Sequence, residues 1–130
     1  MGTRSITEVV DDNGDTLIAM YRQMDGYPSG MGADLAAFLD GFRVVNGLGF
    51  DNPPKTANGL DCLAAQLVAE FKEGAGSIYM VPPSYRKGDG SYDMGEEYIY
   101  TICIDEEGEL TLDCVATHNM TEVDLKAEMC

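Results

Sequence analysis

Two short stretches carry the residue types that recognition chemistry needs. They are Gly2-Thr3-Arg4-Ser5 and the longer run Tyr21-Arg22-Gln23-Met24-Asp25-Gly26-Tyr27-Pro28-Ser29-Gly30-Met31-Gly32. Guanidinium forks such as those of Arg4 and Arg22 bind phosphate bidentately, and tyrosine rings such as Tyr21 and Tyr27 stack on a base. Asp25-Gly26-Tyr27-Pro28 reads as a turn. Ser29 to Gly32 then opens a helix, whose free N–H groups favour anions. The spacing predicts a ligand-binding corner made of Thr3, Arg4, Ser5, Tyr21, Arg22, Asp25, Gly26, Tyr27, Ser29 and Gly30. A small phosphorylated or nucleotide-like molecule suits that inventory. The same residues also suit a purely structural corner, in which Arg4 pairs with Asp25, the tyrosines pack and Gly26-Tyr27-Pro28 simply turns the chain.

Around that corner the sequence offers little for catalysis. General acid–base chemistry needs a tuned carboxylate pair or a partnered histidine. The single histidine, His118, falls after the last expected strand, and most of the 23 carboxylates sit in turns or on polar strand faces. Cys114 alternates into the expected core, where a thiol is inert. Phosphate-binding loop, dinucleotide and nucleophile-elbow patterns are missing. The four cysteines, Cys62, Cys103, Cys114 and Cys130, form no C-x-x-C pair and read as free thiols in a reducing compartment. The acidic turn Asp11-Asp12-Asn13-Gly14-Asp15 resembles a calcium loop only superficially, because the glycine and glutamate positions of that loop hold Thr16 and Arg22. No catalytic residue, metal site or cofactor is assigned.

The elements that must position the corner are readable from periodicity. Residues 5–10 are β-branched and predict a strand. Asn13-Gly14 supports a hairpin turn, and Thr16 to Arg22 is the return strand. The stripe Leu35, Phe38, Leu39, Phe42 predicts a helix over 32–43, with Asp34 in its first turn. A loop over 46–54 follows. Leu60, Leu63, Leu67 and Phe71 predict a second helix over 58–73, capped by Asn58 and ended near Lys72 and Gly74. Ile78 to Val81 is a strand stopped by Pro82-Pro83, and residues 84–95 read as a mobile loop. Tyr98, Tyr100, Ile102 and Ile104 alternate, as do Leu110, Leu112, Cys114 and Ala116, giving a hairpin across Asp105-Glu106-Glu107-Gly108. The expectation is an α+β domain over residues 1–118. Its sheet is antiparallel, of about five strands in the order ββααβββ, with both helices on one face. A polar tail over 119–130 follows.

At 130 residues and 45% hydrophobic content, one ordinary core is expected. No apolar run is long enough to span a membrane, and the N-terminus lacks a signal-peptide pattern, so the expected setting is soluble and cytoplasmic. The formal charge of −15 is uneven: residues 1–60 hold 8 acids and 4 bases, residues 61–130 hold 15 and 4. Such a surface repels nucleic acid and anionic membranes, so neither is expected as a direct partner. It would suit an acidic mimic that occupies a groove built for phosphates, although an acidic surface also serves solubility alone.

Gly2-Thr3-Arg4-Ser5 followed by Asp25-Gly26-Tyr27-Pro28 resembles a family of small, mostly uncharacterised bacteriophage and prophage proteins. Ala57 to Gln66 and Glu97-Tyr98-Ile99-Tyr100 are similar to that family as well. Its members often carry an aromatic residue where this chain has Met24. The resemblance implies a bacterial host cell and a counter-defence role. Three readings follow. The first is a non-enzymatic protein that sequesters a small nucleotide-like signal. The second is an acidic inhibitor of a host defence protein or nucleic-acid-binding enzyme, acting through Glu106, Glu107 and Glu109. The third is an enzyme acting on a phosphorylated small molecule. A homo-oligomer is also expected, with the tyrosine-rich hairpin completing a sheet across a two-fold axis.

Overall fold

A computed structural model describes residues 2–49 and 51–125. Ser5–Val10 forms β1 and Thr16–Arg22 forms β2, an antiparallel pair. The acidic turn between them is held from within. The Asp11 carboxylate accepts the N–H groups of Asn13 at 3.0 Å and Asp15 at 2.9 Å. Gly14 there has φ +85°, a conformation that only glycine adopts freely.

The further strands are β3 (Arg43–Val45), β4 (Thr56–Asn58), β5 (Ile78–Val81), β6 (Tyr98–Ile104), β7 (Leu110–Ala116) and β8 (Thr121–Glu122). Six of them form one sheet in the order β5-β2-β1-β6-β7-β8, while β3 and β4 make a small parallel pair. The α+β class is as expected, but the sheet is not wholly antiparallel, because β1 and β6 pair in parallel. That contact joins opposite ends of the sequence and leaves no local signature. It also places β6 between β1 and β7, so the tyrosine-rich hairpin has no free edge at β6 to offer a second copy.

Helix α1 spans Ala33–Leu39 and is preceded by a π-helical turn over Pro28–Gly32. The expected helix over 32–43 is thus shorter. It stops before Gly41, which has φ +77°, and Arg43 already belongs to β3. Helix α2 spans Gly59–Phe71. Its expected cap, Asn58, instead accepts the Gly47 N–H at 2.8 Å and so ties down the loop over 46–54.

Strand alternation assigns the two sheet faces. Val9, Met20, Tyr100, Ile102 and Cys114 face Leu35 of α1 and Leu63 and Leu67 of α2. The opposite face holds Ile6, Ala19, Tyr21, Val81 and Ile99. It is covered by the segment 82–97, which carries Tyr92 (2% exposed) and Met94. The loop expected to be mobile is therefore a covering layer. It is tied to the sheet by Glu8, a carboxylate only 2% exposed, which accepts the Tyr92 hydroxyl at 2.6 Å, Arg86 Nε at 3.2 Å and the Thr101 hydroxyl at 2.8 Å. Part of the expected tail also belongs to the fold: β8 pairs with β7, and Val123 and Leu125 pack on the helix-side core. Residues 126–130, with Cys130, lie outside the described residues. No helix among the described residues is long and apolar enough to cross a membrane.

Two buried phenols give the fold an alkaline limit. Burial, and then Cys114, pushes the Tyr100 pKa up, while burial, and then Glu8, does the same for Tyr92. The fold therefore favours the neutral phenol. That contribution is complete below the ordinary tyrosine value of about 10 and is lost as pH climbs above it. Urea denaturation over a pH series should show stability falling above about pH 10, with a shallower fall in Tyr92→Phe and Tyr100→Phe.

Candidate functional site

The expected meeting of Arg4 and Arg22 depends on the register of the β1–β2 hairpin. Next to the turn, Val10 is opposite Thr16, and continuing that register would place Arg4 opposite Arg22. A β-bulge between Val9 and Val10 shifts the pairing by one residue, so Ser5 faces Arg22 instead. A shift of one sends a side chain to the other face of the sheet. Arg22 consequently lies on the helix side and Arg4 on the covered side, where its guanidinium packs against Gly95. Arg22 donates from Nε to the Met24 carbonyl at 2.8 Å and from Nη1 to Asp34 Oδ2 at 3.0 Å. Its Nη1 also lies 2.9 Å from Met31 Sδ. The expected Arg4–Asp25 pair does not form, since Asp25 Oδ1 accepts the Tyr27 hydroxyl at 3.2 Å.

Most of the other candidate residues do meet, as a close-packed corner. Gly26 donates its N–H to the Thr3 carbonyl at 2.8 Å and accepts the buried Tyr100 hydroxyl at 2.7 Å. A Cβ on Gly26 would stand 2.7 Å from Ser5 Cβ and 2.9 Å from Thr3 O. Gly30 is equally constrained, with a Cβ falling 2.5 Å from Asp25 O. The free helix-start amides expected there are already used: Gly30 N–H donates to Tyr27 O and Met31 N–H to Asp25 O, both at 2.9 Å. Tyr21 faces the covered side, with its hydroxyl on Gln23 Oε1 at 2.8 Å and its ring 6.1 Å from that of Tyr79. Ser29, Asp25 and Tyr27 (40% exposed) remain at the surface.

A concave feature lies beside this corner. A cleft of about 870 Å³ opens between α1, α2 and the ends of β2 and β5, and Arg22 alone among the ten candidate residues lines it. Its apolar wall is aromatic, with ring centroids 5.0 Å apart for Phe38–Phe42 and 6.0 Å apart, edge to face, for Phe38–Phe71. The cations lining it are committed to the fold. Arg22 holds Asp34, and Lys55 Nζ caps α1 through the Ala37 and Asp40 carbonyls at 3.0 and 2.6 Å. Gln66 bonds the Thr56 carbonyl at 3.2 Å and accepts from Cys62 Sγ at 3.4 Å. Glu70 and Glu73 stand exposed at the rim with no partner among the described residues.

The cleft was hidden in the sequence because Phe38, Phe42 and Phe71 read as ordinary core stripes. The available signal was their excess: Leu35, Leu63 and Leu67 already fill the space under the helices, leaving the phenylalanines half-buried. Among the described residues no group of three or more His, Cys, Asp or Glu side chains could hold a metal ion. Comparison with protein families, with curated proteins and with solved structures gives no match to this chain.

Proposed function

We propose that this chain is a non-catalytic binding protein that engages a basic partner protein through the cleft between α1 and α2. In the counter-defence setting that the resemblance implies, the partner is a host defence protein or a nucleic-acid-binding enzyme. The observation that carries this reading is the charge state of the cleft. Its arginine and lysine are spent on Asp34 and on carbonyls, while Glu70 and Glu73 are left unpaired beside three phenylalanine rings. Such a surface suits an apolar body bearing a positive charge. Cationic groups are attracted both to aromatic faces and to the rim carboxylates. The overall charge of −15 steers the same kind of partner. A nucleotide-like signal, which the corner residues suggested, would have to bring its phosphates to Glu70 and Glu73 or compete with Asp34 for Arg22.

Melting-temperature shifts distinguish the two ligands, because binding to the native state stabilises it by about 2.7 kcal/mol at a hundredfold excess over Kd. A cationic amphipathic peptide should raise the melting temperature at low salt and lose the effect at high salt. Phe71→Ala combined with Glu70→Gln and Glu73→Gln should weaken that peptide about tenfold or more, in line with loss of an aromatic anchor and two charges. Stabilisation by cyclic nucleotides, with none by the peptide, would return the reading to nucleotide sequestration. Peptide binding that ignores all three substitutions would move the site out of the cleft.

A further inference from the structure

The two sides of the main sheet are finished differently. At β5 the outward-pointing backbone groups are nearly all taken. Gln23 donates to Ser77 O, which fixes Tyr79 and Val81 as the residues bonded to β2 and turns Ile78 and Met80 outward. Ile78 then donates its N–H to Gly76 O, and its carbonyl accepts Lys72 Nζ at 2.7 Å. Pro82 has no N–H, and its carbonyl accepts the Tyr85 N–H at 3.0 Å. Only Met80 is left open. A closed edge of this kind is how proteins prevent strand addition.

The β7 side is not closed. β7 pairs with β6 along all of Leu110–Ala116 but with β8 only at Val115 and Ala116. Asp105 donates to Glu109 O, so the alternation turns the N–H and C=O groups of Leu110 and Leu112 outward. Those groups have no protein partner among the described residues, whereas the Cys114 carbonyl accepts the Val123 N–H at 2.8 Å. Leu110 and Leu112 present half-buried side chains on the helix face, and the exposed Asp113 lies on the other. Residues 104–125 hold seven acids and no lysine or arginine, with Glu106, Glu107 and Glu109 in the adjoining turn.

We propose that the Leu110–Asp113 edge of β7 is a strand-addition site for an extended cationic segment of a partner protein, a contact separate from the cleft. Its backbone would pair with Leu110 and Leu112. Its apolar side chains would lie on the leucine face and its lysines or arginines beside Asp113 and the acidic turn, an alternation with the period of a strand. A second copy of this chain is a poor occupant. Its β5 edge offers Met80 alone, and its β7 edge carries the same concentration of negative charge.

The test is a titration with a short peptide alternating lysine and valine, read by amide hydrogen exchange. Slowing of the Leu110 and Leu112 amides by about tenfold or more, lost at high salt and missing with a glutamate–valine peptide, is the expected result. Leu112→Pro removes one outward donor without touching the β6 ladder and should weaken binding. Glu109→Lys with Asp113→Lys, at exposed positions, should abolish it while leaving the melting temperature near that of the parent protein. The proposal is overturned if the peptide does not bind. It also fails if protection appears in α1 or α2 instead, if charge reversal leaves binding unchanged, or if sedimentation shows that the protection arises from self-association.

Discussion

Replacing Glu8 with alanine will lower the stability of the protein by about 3 kcal/mol, the cost of removing one partner from a buried charged network. Three donors lose their acceptor at once: the Tyr92 hydroxyl, Arg86 Nε and the Thr101 hydroxyl. Tyr92 is 2% exposed, so its stranded hydroxyl cannot reach water without moving the segment that carries it. Arg86 is 43% exposed and rehydrates, which holds the loss toward the lower end of the range for buried pairs. Glu8→Gln keeps an acceptor in place but removes the charge opposite Arg86, and it should cost less than half as much. Urea denaturation measures both. Hydrogen exchange then locates the damage, with faster exchange across residues 82–97 and little change in α1 and α2. A loss below about 0.5 kcal/mol for Glu8→Ala, the scale of an ordinary surface substitution, would mean that the segment is held by its apolar contacts alone.

Gly26→Ala should be nearly as damaging for a different reason. The backbone of Gly26 lies outside the left-handed region, so alanine meets no torsional penalty there. It meets atoms: Ser5 Cβ at 2.7 Å and the Thr3 carbonyl at 2.9 Å, both anchored to β1 or its leading segment. Overpacking of this kind costs about 1–3 kcal/mol. The upper end applies here, because relief requires separating Gly26 from Thr3 O and from the Tyr100 hydroxyl as well. Adding Ser5→Gly removes two of the three colliding atoms, Ser5 Cβ and Oγ, so the double variant should lose less stability than the sum of the two single ones. Additive losses would place the strain elsewhere. A Gly26→Ala protein that keeps its stability but loses a bound ligand would make the corner a recognition site after all.

What the sequence could reveal follows the range of the interactions that decide each feature. The strands Ser5–Val10, Thr16–Arg22, Ile78–Val81, Tyr98–Ile104 and Leu110–Ala116 have the bounds expected from them, because alternation and turn chemistry are local. The β-bulge at Val9 and Val10 has no such local mark, yet it alone separates Arg4 from Arg22. Glu8 reads as a polar residue on a strand. It becomes a buried hub only when residues 82–97 fold over it. The helix expected through Phe42 ends early because Gly41 takes a positive φ and Arg43 finds a pairing partner in Thr56. Asn58, a good cap by type, was drawn to the Gly47 amide, a competitor visible only once the loop is in place.

The parallel pairing of β1 with β6 also sets an order of events during synthesis. β1 leaves the ribosome well before β6, and its hairpin with β2 can close at once. The other edge of β1 must wait for β6, which begins only at Tyr98. Until then the Ile6 and Val9 positions, fully buried in the finished protein, lie on an open strand edge. Non-local pairings of this kind slow folding and leave nascent chains prone to aggregation. Eight of the fifteen acids in residues 61–130 follow β6 in the chain, so the densest negative charge emerges only after that wait has ended.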